Sequence, residues 1–156
     1  MSEVLSGCEL RTQNGDVVTA DDALKEKIVG LYFSAHWCFW CRRFTPTLKE
    51  FYEEVGNEEM EIIFVTADRN EKAMMDYYND SHAKWLYIPF GNSHIDMLWK
   101  KYGVRTMPTL IIIKPDGSVI TRNGVSNVKR RKPTETLRQW KYGEVVEESK
   151  KKCSIM

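Results

Sequence analysis

The chain has 156 residues, 42% of them apolar and 29% charged, with a net charge of +1, which suits one domain able to bury its own core. So even a charge balance excludes the whole-chain electrostatic footprint of a nucleic-acid binder, and no window approaches the roughly 18 apolar residues of a membrane span. Met1 to Leu10 lacks a basic stretch followed by an apolar run, so no secretory signal is read, and the expected compartment is the reducing cytosol, where a standing disulfide is disfavoured.

In chain order, "CELRTQNGDVVTA" places Asn14-Gly15 between two pairable runs, the short-range signal of a hairpin. Cys8 is then a small buried or edge residue of its first strand. A short polar helix is expected near Asp21 to Lys27. "IVGLYFSA" is a near-continuous apolar run, the mark of a strand buried on both faces. From Cys41 to Val55 the apolar residues Phe44, Leu48, Phe51, Tyr52 and Val55 keep the spacing of an amphipathic helix. "EIIFVTA" predicts a second buried strand, and Asn70 to Asp80 a helix with Met74, Met75 and Tyr78 inward. "WLYIPF" predicts a short extended piece, and Ser93 to Tyr102 a helix capped by Ser93. "TLIIIK", "PDG" and "SVITR" predict an antiparallel hairpin. The basic run Lys129-Arg130-Arg131-Lys132 reads as a solvated loop, with nuclear import or support of a basic patch at a membrane as the alternatives. Pro133 opens a last helix to Lys141. The order is that of one α/β domain with a mixed sheet over residues 1–142. Residues 143–156 read as a polar tail hanging free.

The stretch "HWCFWC", His36 to Cys41, carries the chemistry. A zinc site normally needs four Cys/His ligands in close pairs, whereas Cys8, Cys153, His82 and His94 stand apart in the sequence. A passive disulfide across one turn closes almost no loop and stabilises little. A redox couple fits best, because the pair falls where a buried strand ends and a helix starts. Free N–H groups and the macrodipole at that point favour a thiolate on Cys38. Cys38 is then the attacking sulfur and Cys41, one turn on, resolves the mixed disulfide. His36 faces solvent in the simpler reading and lends partial positive charge to Cys38 in the other.

Four features spread along the chain resemble the thioredoxin-like family: Trp37-Cys38-x-x-Cys41 after the strand, Arg42, Pro46 five residues beyond Cys41, and Met107-Pro108 before "TLIIIK". The segments "LYFSAHWC", "VTADRNE", "WLYIPF" and "YGVRTMPTLIIIKPDG" look more narrowly like its tryparedoxin and nucleoredoxin branch. The resemblance implies a thioredoxin fold with an added N-terminal hairpin, a kink at Pro46, and a cis bond at Pro108 although only about 5–6% of X–Pro bonds are cis. It also implies substrate contacts from Trp37, Met107 and Pro108, with the Met107 backbone turned outward to pair with an extended peptide. Two departures stand out. Phe39-Trp40 replaces the prolines or Gly-Pro usual between the cysteines. Either the rings form an apolar docking lip, or Phe39 tucks against Trp37 and only the redox potential changes. Tyr32 occupies the place of a buried aspartate, which leaves the base unassigned. Asp68, at the carboxyl edge of the sheet, is a proton-relay candidate, with a helix N-cap as the plainer role.

The chain closes on Lys150-Lys151-Lys152-Cys153-Ser154-Ile155-Met156, a C-a-a-X box of farnesyl type, against the alternative of chance. A lipid on Cys153 beside three lysines would supply the two signals a membrane anchor needs. The expectation is a cytoplasmic protein-disulfide reductase, membrane-associated if Cys153 is farnesylated and nuclear in a lesser reading. It uses no cofactor, metal or nucleic acid, acts on protein or small disulfides, and draws electrons from an upstream dithiol reductase. The rival expectation is a redox-sensitive binding module with little turnover.

Overall fold

In a computed structural model, residues 3–143 are described; the predicted tail, with Cys153, lies outside them. After a single 3₁₀ turn (Glu3–Leu5), β1 (Glu9–Arg11) and β2 (Val17–Thr19) form the expected hairpin. α1 (Ala20–Ala23) is shorter than the sequence suggests; Thr19 caps it by accepting the Asp22 N–H. β3 (Ile28–Ser34), α2 (Phe39–Val55), β4 (Met60–Thr66) and α3 (Glu71–Ser81) follow in the predicted order. Then come β5 (Leu86–Tyr87), α4 (Ser93–Lys101), β6 (Thr109–Ile113), β7 (Val119–Thr121), α5 (Gly124–Arg130) and α6 (Pro133–Tyr142).

The strands make one mixed sheet in the order β2-β1-β5-β4-β3-β6-β7. β3 pairs in parallel with β4 and antiparallel with β6, in the register Tyr32↔Phe64 and Tyr32↔Leu110. Because β3, β4 and β6 are covered on both faces, alternate residues feed two cores. Tyr32, Ile62, Phe64, Leu110 and Ile112 face α2, α3 and α6. Leu31, Phe33, Ile63, Ile111 and Ile113 face α4 and the N-terminal segment. This double burial is why those strands read as continuous apolar runs.

Three local expectations change. Asn92, not Ser93, caps α4, its side chain accepting the His94 N–H; the cap lies one residue earlier because Asn also meets the requirement. On α3 the second large inward ring is Tyr77, fully buried, while Met75 is only partly so. The basic run is only half loop: Lys129 and Arg130 form the last turn of α5, where cations oppose the partial negative charge of a helix end, while Arg131 and Lys132 make the connection to α6. α2 continues through Pro46.

One buried polar group carries a stability prediction. His82 is 3% exposed, its ring within 4.4 Å of the Phe64 and Tyr77 rings and near Tyr32, Tyr78 and Trp85. Its Nδ1 accepts the Trp85 indole N–H at 3.0 Å, and its Nε2 has no partner among the described residues. Burial pushes it down to about 3. Between that value and the ordinary imidazole value, about 6.5, the unfolded chain takes a proton that the folded chain refuses. Stability therefore rises with pH across this window, by up to about 1.4 kcal/mol per unit. Urea midpoints of the chain and of His82→Gln, measured at pH 6.5 and pH 4.5, should converge on acidification as the native protein alone loses this contribution. Parallel lines would contradict it.

Candidate functional site

β3 delivers the chain to the carboxyl edge of the sheet, and α2 begins after four intervening residues. Cys38 is the N-cap of α2, in extended conformation at φ −92° and ψ 114°. Its backbone N–H reaches the Ala35 carbonyl at 3.2 Å, and its Sγ accepts the Cys41 N–H at 3.2 Å. A sulfur in the seat where helices usually place a Ser or Asp oxygen is held on an N–H of the first turn, that of Cys41. Negative charge is favoured there.

The two cysteines sit in opposite surroundings. Cys38 is half-buried and Cys41 wholly buried, and both are thiols. Burial first, and the neighbouring Cys38 second, push the Cys41 thiol up to about 12, while the Ser34 hydroxyl works in the other direction. The unequal pair is suited to sequential work: one sulfur meets solvent at the start of the helix, and the other is buried and keeps its proton until used.

Under Cys41 lies a cluster of hydroxyls that sequence spacing does not reveal. Ser34 and Tyr77 share a hydrogen bond of 2.6 Å, Tyr77 and Thr45 one of 2.6 Å, and Thr45 and Tyr32 one of 2.7 Å. Thr45 also lies 2.8 Å from the Cys41 carbonyl. Tyr32 thus does not stand alone where a carboxylate was missing. It is one of four buried hydroxyls from β3, α2 and α3, and burial holds both tyrosines well in their neutral form. The available signal was small: Tyr32 and Ser34 fall on the same face of an otherwise apolar strand.

Asp68 is not a helix cap; Asn70 fills that role for α3 by accepting the Ala73 N–H. The Asp68 carboxylate accepts the His36 backbone N–H at 2.9 Å and the Thr66 hydroxyl at 3.0 Å, bracing the loop before Cys38. The exposed His36 ring tilts against Tyr77, 5.8 Å between centroids. Trp37 donates its indole N–H to the Ala67 carbonyl at 3.1 Å and carries the Arg69 guanidinium over its face at 5.2 Å.

Phe39 does not fold back on Trp37. It packs edge-to-face on Trp40 at 5.2 Å, leaving the two rings 53% and 63% exposed. Opposite them the Met107–Pro108 bond is cis. Trp40, Phe44, Met107, Pro108 and Val125 line a surface groove of about 540 Å³. Phe39 stays outside that lining, as does Trp37, which is on the other flank. Cys8 lies remote, in the second core, and burial pushes its thiol up to about 12.

A family model described as thioredoxin-like matches residues 26–119. Nucleoredoxin of Mus musculus is 42% identical over 125 residues, covering 78% of this chain and 28% of the relative. The chain therefore spans less than a third of the length of that curated relative. The crystal structure of thioredoxin from Wuchereria bancrofti superposes with a TM-score of 0.79 at 47% identity, covering 90% of this chain and 98% of that one. Tryparedoxin I from Leishmania major gives a TM-score of 0.73 at 35% identity, with 86% and 90% covered.

Proposed function

The chain belongs to the thioredoxin-like family, in its tryparedoxin and nucleoredoxin branch, and from that premise we propose that it is a protein-disulfide reductase working through a Cys38/Cys41 dithiol. The observation that carries the proposal is the Cys38 sulfur at the start of α2, taking the Cys41 N–H at 3.2 Å. The Cys38 thiolate attacks one sulfur of a substrate disulfide. That S–S bond breaks, a Cys38–substrate disulfide forms, and the other sulfur leaves as a thiolate that takes up a proton. Cys41 then loses its proton and attacks the Cys38 sulfur, closing Cys38–Cys41 and releasing the second substrate thiol. Two electrons and two protons have passed to substrate, and a dithiol of a separate reductase returns them. Ser34, backed by Tyr77 and Thr45, is the hydroxyl placed to stabilise Cys41 as it ionises. Asp68 serves mainly to brace the loop, with proton relay its lesser role.

In this proposal Trp37, Phe39, Trp40, Met107 and Pro108 meet the substrate, and the reaction asks for no cofactor, metal or nucleic acid. Reduction of insulin disulfides by the full chain, with dithiothreitol as electron source, is the test; no acceleration over dithiothreitol alone would end it. The exposed Phe39–Trp40 pair favours one second reading, a redox-gated binding module. A Cys41→Ser trap that holds many partners supports the reductase, and one stable partner held without either cysteine supports the module.

We place the protein in the cytoplasm, at a membrane face when Cys153 is farnesylated, with the nucleus a lesser site. Among the described residues no helix is long and apolar enough to cross a membrane. Expression in farnesylating cells should add one farnesyl mass at Cys153 and remove residues 154–156; Cys153→Ser should lose both the added mass and any membrane partition. An unmodified terminus would sink this part alone.

A further inference from the structure

The charge around the candidate nucleophile is one-sided. Segments 36–49, 103–110 and 119–134 contain nine Lys or Arg and no Asp or Glu, in a chain with 23 of the former and 22 of the latter. The fold brings these segments together. The groove at the cis-proline is rimmed by Arg43 from α2 and Lys129 from α5. A second concavity, of about 440 Å³, shares Pro108, Val125 and Lys129 with it and adds Arg122 and Arg130. All four cations are exposed, and among the described residues none is ion-paired. Arg43 and Lys129 lie over the Phe39 and Phe44 rings at 5.8 and 5.9 Å, stacking that leaves their donors available. Beyond Trp37, which carries Arg69 on its face, a cavity of about 450 Å³ is lined by Asp68 and Asp96 and by no cation.

We propose that the continuous groove from Trp40 past Pro108 to Arg122 and Arg130 is a binding surface for an acidic polypeptide strand, and that the protein selects disulfides flanked there by Asp or Glu. This rests on the reductase reading and adds a substrate class to it. The floor is apolar at Phe44, Pro108 and Val125, which suits alternate side chains of an extended peptide, and the free cations supply charge complementarity along one edge. Rim charges of this kind act mainly on the association rate, with the effect weakening as salt rises.

The experiment compares two synthetic peptides with the same cystine, one flanked by three Glu and the other by three Lys, as substrates of the full chain. The expected result is a kcat/KM about tenfold higher for the acidic peptide at low ionic strength, shrinking toward equality in high salt. Combined Arg122→Glu, Lys129→Glu and Arg130→Glu should abolish or invert the preference. Equal rates on the two peptides overturn the inference, as does a preference that survives the triple variant. So does binding of phosphatidylserine vesicles by the chain when the acidic peptide is ignored. Neutral hydroxyethyl disulfide separates the two readings. If the native chain reduces neither it nor the peptides, the reductase reading fails. Calorimetric binding of cysteine-free Glu and Lys peptides then decides the groove alone, with equal affinities counting against it.

Discussion

Cys38→Ser should bring insulin-disulfide reduction down to the uncatalysed background, a loss of at least about 10³-fold. A serine hydroxyl stays protonated at neutral pH, even with the Cys41 N–H directed at it. Cys41 cannot stand in, being fully buried with its thiol pushed up to about 12. Cys41→Ser should differ in kind: the first attack proceeds, turnover stops, and substrate accumulates as a mixed disulfide on Cys38. Two experiments check the division, steady-state turnover and non-reducing electrophoresis of trapped adducts. Because Cys41 must give up its proton, release of that adduct in the native chain should quicken as pH rises toward 9. Full activity in Cys38→Ser, or adducts trapped on Cys41 in its place, would refute the assignment.

The second large effect lies outside the site. Gly124→Ala should cost about 3 kcal/mol and lower Tm by at least about 6 °C. Gly124 opens α5 and is buried against β6. A Cβ there would stand 2.5 Å from the Leu110 carbonyl oxygen and 2.8 and 2.9 Å from Leu110 Cγ and Cβ. The oxygen belongs to a central strand paired with β3, so it cannot retreat without breaking the sheet register. The helix must move instead, taking Val125 and Lys129 with it. Thermal unfolding followed by circular dichroism measures the loss, and a Tm within about 2 °C of the native value would show that α5 shifts at little cost.

The contrast between α2 and α5 explains what was legible in the sequence. α2 declares itself through Phe44, Leu48, Phe51 and Tyr52 at helical spacing, and β3, β4 and β6 through apolar runs set by burial on both faces. α5 offers two inward valines, a glycine start and a basic end, a composition that solvated loops share. The cap of α4 was misplaced by one residue because Asn92 and Ser93 are adjacent and equally able. At the candidate site, the placing of Cys38 and Cys41 at the start of α2, with Trp37 beside them, and the cis bond at Pro108 were legible because motifs and their chain positions mark them. The hydroxyl cluster was not, since Ser34 and Tyr77 are 43 residues apart and each alone resembles an ordinary core residue. The direction of Phe39 was also hidden: an edge-to-face partner three-dimensionally close on either side suits a phenyl ring, and only the turn of α2 decides for Trp40.

The tryptophans flanking the site give the molecule an instrument of its own. Trp37 and Trp40 stand one position before and two positions after Cys38, half or more exposed, whereas Trp85 and Trp140 are sealed in the core. A disulfide quenches nearby indole emission more strongly than a thiol does. Closing the cystine should therefore dim the mouth of the site while the interior pair glows on unchanged, letting a stopped-flow trace follow each half-cycle without any added dye.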